Sequence, residues 1–183
     1  LPTGDVWVSD EVDTGIFASG DGTQASPYLI RTAEQLRAFA GSLNNKINYA
    51  DKYVALDADI DVSDAAWTPI GGSDWAFAGT FDGRGHTISG LTVGSASAPL
   101  ALDGDNLFIG LFGVLEKTAV VRDVALRNVA FYTSYEATAY VGGIAGYLNG
   151  SGESNVFTGA VVDGCSVSGV ISHTVSYTHL RAH

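Results

Sequence analysis

A chain of 183 residues with 46% hydrophobic and 16% charged residues is long enough for one domain with a sizeable core, and too apolar to stay disordered. The formal net charge of -11 argues against nucleic acid, whose phosphates demand a basic face, and against electrostatic docking on anionic lipid. Cys165 is the lone cysteine, so no internal disulfide forms, and in a strand pattern it reads as a small buried apolar group.

The 23 glycines suit strands and tight corners rather than helical bundles. Methionine is absent even at position 1, which is expected of a fragment or a processed product, and no signal peptide is visible. Residues 1–19 read as a polar extension with Trp7 and Phe17 as anchors. The opening "LPTG" lacks one residue of a sortase signal and sits at the wrong end. "GDGTQASPYLI" (20–30) is a turn leading into a short strand. "TAEQLRAFAGSLN" (32–44) is the one convincing helix: Thr32 and Gln35 have capping-box spacing, and Leu36, Phe39, Ala40 and Leu43 form one apolar stripe. It lies within a segment, 20–52, that is expected to cap the strands beginning at Tyr53.

From Tyr53 the period becomes alternating. In "YVALDADIDVS", Val54, Leu56, Ala58, Ile60 and Val62 point one way and Asp57, Asp59 and Asp61 the other. "AWTPIGG" (66–72) reads as a loop. "GTFDGRGHTISGLTV" (79–93) comes next, then two strand pairs: "FIGLFGVL" with "RDVALRNVAF", and "YVGGIAGYL" with "DGCSVSGVIS". The longest apolar run, "LFIGLFGVL" (107–115), is too short to span a bilayer, so no membrane insertion is expected.

The two pairs look like one unit repeated. Gly110-Leu111-Phe112-Gly113 matches Gly143-Ile144-Ala145-Gly146, and Val124, Leu126 and Val129 match Cys165, Val167 and Val170. "TISGLTV" has a similar shape, with 36 residues from Ile88 to Val124 and 41 from Val124 to Cys165. Such a loose period is expected of a solenoid with insertions at its corners, here "SASAPLALDGDN", "YTSYEATA" and "LNGSGESNVFTG". No single coil can bury its own apolar face, so coils must stack, and the end of a stack exposes a strand edge that needs covering.

Five segments in order ("SPYLIRTAEQLRAFA", "DIDVSDAAWTPIGG", "FAGTFDGRGHTISGLTV", "IGLFG" and "GGIAG") resemble the GLUG-repeat region of bacterial surface proteins, which also occurs in the non-catalytic part of immunoglobulin A1-specific metallopeptidases. The resemblance covers roughly 20–172. It implies an all-β fold, a right-handed parallel β-helix with the helix as an N-terminal cap and repeats over 53–172, on a secreted or wall-attached protein with adhesin-like roles. The zinc-binding H-E-x-x-H of the metallopeptidases is absent, so their chemistry does not carry over. The tail 173–183, ending in "VSYTHLRAH", resembles a translated cloning adapter and is read as non-native.

Asp82, Arg84 and His86 pose a choice between an acid, a cation and a general base in one cleft and a backbone corner. The corner is the reading taken: Gly83 and Gly85 allow a tight bend, Asp82 bonds nearby N–H groups, and His86 covers the first core position of the next strand. Asp57, Asp59 and Asp61 would sit on one strand face about 6.6 to 7 Å apart. The row is read as a solvated acidic face with no cofactor; calcium, the natural counter-ion for three carboxylates, is the competing reading. No catalytic residue is assigned. Trp7, Trp67 and Trp75 read as caps and corner packing in preference to sugar platforms. The function expected is a non-catalytic stalk or adhesin-like module, extracellular or on the cell surface. A host protein, matrix protein or glycan would be its partner, and the parent chain would continue the solenoid. A carbohydrate-active β-helix enzyme, or an accessory domain of a secreted metallopeptidase, are the alternatives.

Overall fold

The computed structural model describes residues 11–101, 107–134, 139–153 and 156–174. Residues 1–10 with Trp7, parts of all three corner insertions and residues 175–183 lie outside that set. Strands dominate, with one α-helix and a short 3-10 turn at Thr14–Ile16.

β1 (Tyr28–Ile30) runs into α1 (Ala33–Asn44). The Thr32 hydroxyl accepts from the Gln35 N–H at 3.2 Å, as the spacing predicts. The return bond lands one residue early, from the Arg31 N–H to Gln35 Oε1 at 2.8 Å. Leu36, Phe39, Ala40 and Leu43 are the buried face of α1, the stripe read from the sequence. Phe39 lies at their centre, with ring centroids 4.9 Å from Tyr49, 5.9 Å from Phe77 and 6.3 Å from Phe81. α1 thus covers the apolar interior at the β1 end of the molecule.

The rest of the chain visits three ladders of parallel strands, repeatedly and in the same order. The first pass runs through β2 (Tyr53–Leu56) and β3 (Ile60–Asp61). The second uses β4 (Thr80–Asp82), then β5 (Thr87–Ser89), β6 (Thr92–Val93) and β7 (Leu100–Ala101), then β8 (Leu107–Ile109) and β9 (Phe112–Leu115). The third uses β10 (Val120–Arg122), β11 (Ala125–Ser134), β12 (Ala139–Val141) and β13 (Ala145–Leu148). A hairpin, β14 (Gly150–Glu153) with β15 (Val156–Gly159), interrupts before β16 (Val161–Asp163) and β17 (Ser166–Thr174) begin the fourth. The first ladder stacks β1, β2, β4, β10 and β16, and the second stacks β3, β5, β11 and β17. The third pairs β8 with β12 and β9 with β13. All these ladder pairs are parallel.

Register places like on like. Val54, Phe81, Val121 and Val162 align in the first ladder, and Ile60, Ile88, Leu126 and Val167 in the second. The glycine-bracketed repeats also align: Phe112 pairs with Ala145, and the Leu111 N–H donates to the Gly143 carbonyl at 2.9 Å.

Several expectations are corrected by this register. "YVALDADIDVS" is not one strand: it breaks after Leu56 and resumes at Ile60 on a different ladder, and Ala55 is buried where Ala58 is only half-buried. Ile88 aligns with Leu126, two residues beyond Val124, which occupies the corner instead. Val129 pairs with Gly169 and not Val170, because a bulge with Asn128 at φ 54° shifts the register by one. "AWTPIGG" is more than a loop, since its Ile70 bridges Phe112 and, just beyond it, Phe77 bridges Leu115, making the stretch 70–77 the first rung of the third ladder. Finally β17 runs to Thr174, past the boundary at 172.

Candidate functional site

The corner between the first and second ladders, with the strand ends that flank it, holds the six polar site candidates Asp57, Asp59, Asp61, Asp82, Arg84 and His86. Its length varies while the ladders stay in register. Four residues lie between the aligned rungs Ala55 and Ile60, five between Asp82 and Ile88, and three between Arg122 and Leu126. The short corner bends through one left-handed residue, Asp123 at φ 52°. The longest one needs two in succession, Arg84 at 51° and Gly85 at 78°, closed by the His86 N–H donating to the Gly83 carbonyl at 2.8 Å. That is the pattern of a type I′ turn, which favours glycine at its second centre. Gly83 is required for a different reason: a Cβ there would strike the Asp123 carbonyl and Val124 of the next rung.

The three polar side chains go to three different neighbours. Asp82 Oδ1 accepts from the Arg84 N–H at 2.8 Å, and its Oδ2 accepts from Arg122 Nε and Nη2 at 3.0 and 2.7 Å. Arg84 Nη1 lies 3.7 Å from Asp57. His86 Nδ1 lies 3.1 Å from Asp59 Oδ1, which also accepts from the Thr87 N–H at 2.8 Å. His86 is half-buried beside Asp59, and the core position belongs to Ile88.

The three aspartates are likewise separated. Asp57 follows β2, Asp59 precedes β3 and only Asp61 lies on a strand, so the expected row on one face does not form. The Arg31 guanidinium, 2.7 Å away, holds the Asp57 carboxyl below the usual carboxylate range, and Arg84 and His86 add to it. The Thr87 N–H and then His86 do the same for Asp59, and the Ser63 hydroxyl and N–H for Asp61. Among the described residues no group of three His, Cys, Asp or Glu side chains gathers to hold a metal ion. The arrangement ties one pass to the next by exposed ion pairs, which water screens so that each adds little to stability.

Sequence reasoning missed the cations Arg31 and Arg122. The signal was present, since each sits one pass away from an acidic corner residue, but it is readable only once the register is known. Of the tryptophans, Trp67 is buried and donates from Nε1 to the Gly110 carbonyl at 3.1 Å, a packing role as expected. Cys165 is half-buried, and burial pushes its thiol pKa up.

No protein-family model matches the chain. It is similar to a protein of Evansella cellulosilytica named "Putative Gly-rich membrane protein", 31% identical over 137 residues that make up 74% of this chain and 15% of that protein. It is also similar to "Halomucin" of Haloquadratum walsbyi, 32% identical over 168 residues, 85% of this chain and 2% of that protein. The chain therefore spans a small part of both relatives. Among solved structures, a "putative immunoglobulin A1 protease" from Bacteroides ovatus superposes with a TM-score of 0.44 at 21% identity, over 89% of this chain and 63% of that one. No helix among the described residues is long and apolar enough to cross a membrane.

Proposed function

We propose that the chain is the capped beginning of a right-handed parallel β-helix of the GLUG-repeat type, a non-catalytic extracellular module within a much longer bacterial surface or secreted protein. It serves as a stalk or adhesin-like binding segment. The similarity to small parts of long proteins supports this reading, and so does the spending of Asp57, Asp59, Asp82, Arg84 and His86 on a backbone group or a neighbouring pass.

The observation that carries it is the state of the last pass. Val121, Leu126 and Phe131 are 0%, 1% and 0% exposed, whereas their register partners Val162, Val167 and Ile171 are 39%, 43% and 45% exposed. Exposed apolar rungs on an unpaired strand are a template for another strand. Production of the chain together with the residues that come after it in its gene is the test. Amides of β16 and β17 should then exchange hydrogen as slowly as those of β10 and β11, and concentration-dependent association should disappear. Unchanged exchange in the longer protein, or a freely monomeric shorter one with full protection through Val170, would overturn the reading. Antibody labelling of intact cells tests the location.

A further inference from the structure

The segment 66–75, which carries the first rung of the third ladder at Ile70, lines two surface cavities together with Asn44 of α1 and Phe108 of β8. Thr68, Pro69 and Ser73 are small side chains there, between the rings of Trp75 and Phe108. The result is a surface cavity of about 360 Å³, walled by Trp75 and Phe108 and edged by Lys46, Thr68, Ser73 and Asp74. Thr68 and Asn44 also line a second cavity of about 220 Å³ beside Arg37 and Trp67, so the two adjoin as one trough. Its volume is that of ordinary small-ligand sites.

Both aromatic walls are fixed and half-buried. Trp75 Nε1 donates to the Ile47 carbonyl at 3.2 Å. Phe108 stacks on Tyr140, 5.0 Å between centroids and 5° between planes, and Tyr147 abuts both edge-on. The polar rim is largely unspent. The Lys46 ammonium and the Thr68 hydroxyl have no partner among the described residues, and Ser73 Oγ reaches only Asp74, at 3.4 Å. Asn44, by contrast, is used up: it accepts from the Gly71 N–H and donates to the Pro69 carbonyl, holding the floor in place.

Rigid ring faces bordered by free hydroxyl, ammonium and carboxylate groups match a ligand with apolar C–H faces and a fringe of hydroxyls, which is the chemistry of a pyranose. The two adjoining cavities, about 360 and 220 Å³, leave room for more than one ring. Asp74 at its edge and the net charge of -11 disfavour a polyanion. We infer that this trough binds a neutral oligosaccharide. The inference rests on the extracellular binding-module reading and gives that module its ligand class.

The test is nuclear magnetic resonance titration of the whole chain with cellohexaose, xylohexaose and mannohexaose, beside a heparin hexasaccharide and a proline-rich peptide. One neutral hexasaccharide should shift the Trp75 indole resonance. Lys46→Ala and Thr68→Val touch no structural contact. Each should weaken binding about threefold at an unchanged melting temperature, and Trp75→Ala about tenfold, the range of single aromatic contacts. Absence of any shift with neutral sugars at about 10 mM, beyond the weak end of specific binding, overturns the inference. So does binding that the Lys46 and Thr68 variants leave intact, or occupation of the trough by heparin or the peptide. None of these outcomes touches the exchange experiment on β16 and β17, so the two readings fail separately.

Discussion

At the β1 end of the ladders, Phe39 of α1 packs its ring among Phe17, Tyr49, Phe77 and Phe81, and every one of these is buried. At the β17 end, Val162, Val167, Val170 and Ile171 point their apolar surface outward. The same kind of rung is interior at one end and surface at the other. What differs is whether something lies on top of it. Burial of one such side chain is worth about 1.5–3 kcal/mol, so the covered end holds several times that and the open end very little. Stability in this molecule is therefore expected to be graded along the stack.

Substitutions probe that gradient from both ends. Phe39→Ala removes the centre of the covered end, and chemical denaturation should show a loss of about 3–5 kcal/mol, with cooperative loss of the β1 to β4 region. A matched pair comes next. Leu126→Ala should cost about 2–5 kcal/mol, whereas Val167→Ala, its register partner one pass later, should cost less than about 1 kcal/mol. Equal costs would mean that the last pass is as well packed as the others, and the contrast between the two ends would collapse.

Alkali should attack the covered end selectively. Burial pushes the Tyr49 hydroxyl from its ordinary 10.0 up to about 12, opposed in part by its hydrogen bond with Ser42. A raised pKa means that the folded state keeps a proton the unfolded state gives up. The stabilisation is complete below pH 10 and is lost as pH rises towards 12, for a total of roughly 2–3 kcal/mol. Tyr49→Phe should flatten that alkaline decline in thermal melts. The smallest effect lies at the corner. The Asp57 carboxyl is held low by Arg31, so its contribution is present at neutral pH and fades as pH falls below the usual carboxylate value. It is exposed to solvent, and Asp57→Asn should shift the melting temperature by no more than a degree or two, less still in high salt.

Local signals were legible in the sequence. The stripe of α1 depends on a period of 3.6 within thirteen residues, and the four residues of its buried face were read directly. The Gly-Leu-Phe-Gly and Gly-Ile-Ala-Gly units could be matched because glycine is demanded on both passes: a Cβ on Gly113 would strike the Gly71 carbonyl, and one on Gly146 the Tyr140 carbonyl. Corner lengths were not legible. Parallel strands pair residues from 26 to 41 positions apart, and nothing near Asp57 announces that Leu56 and Ile60 belong to different ladders. The same ignorance misaligned Ile88 with Val124 and Val129 with Val170. It also put three aspartates on a face that does not exist. The partners of the corner charges, Arg31 and Arg122, were hidden for the same reason.

The β14–β15 hairpin leaves the third ladder at Asn149, whose N–H donates to the Leu115 carbonyl at 2.8 Å, and returns at Val161, whose N–H donates to the Ala119 carbonyl at 2.9 Å. Both moorings belong to the scaffold, so the excursion between them is free to change in length and content at the modest logarithmic cost of a longer loop. A foreign peptide or a small folded cargo spliced into that hairpin would be displayed at a fixed level between the third and fourth passes, with the neighbouring rungs undisturbed.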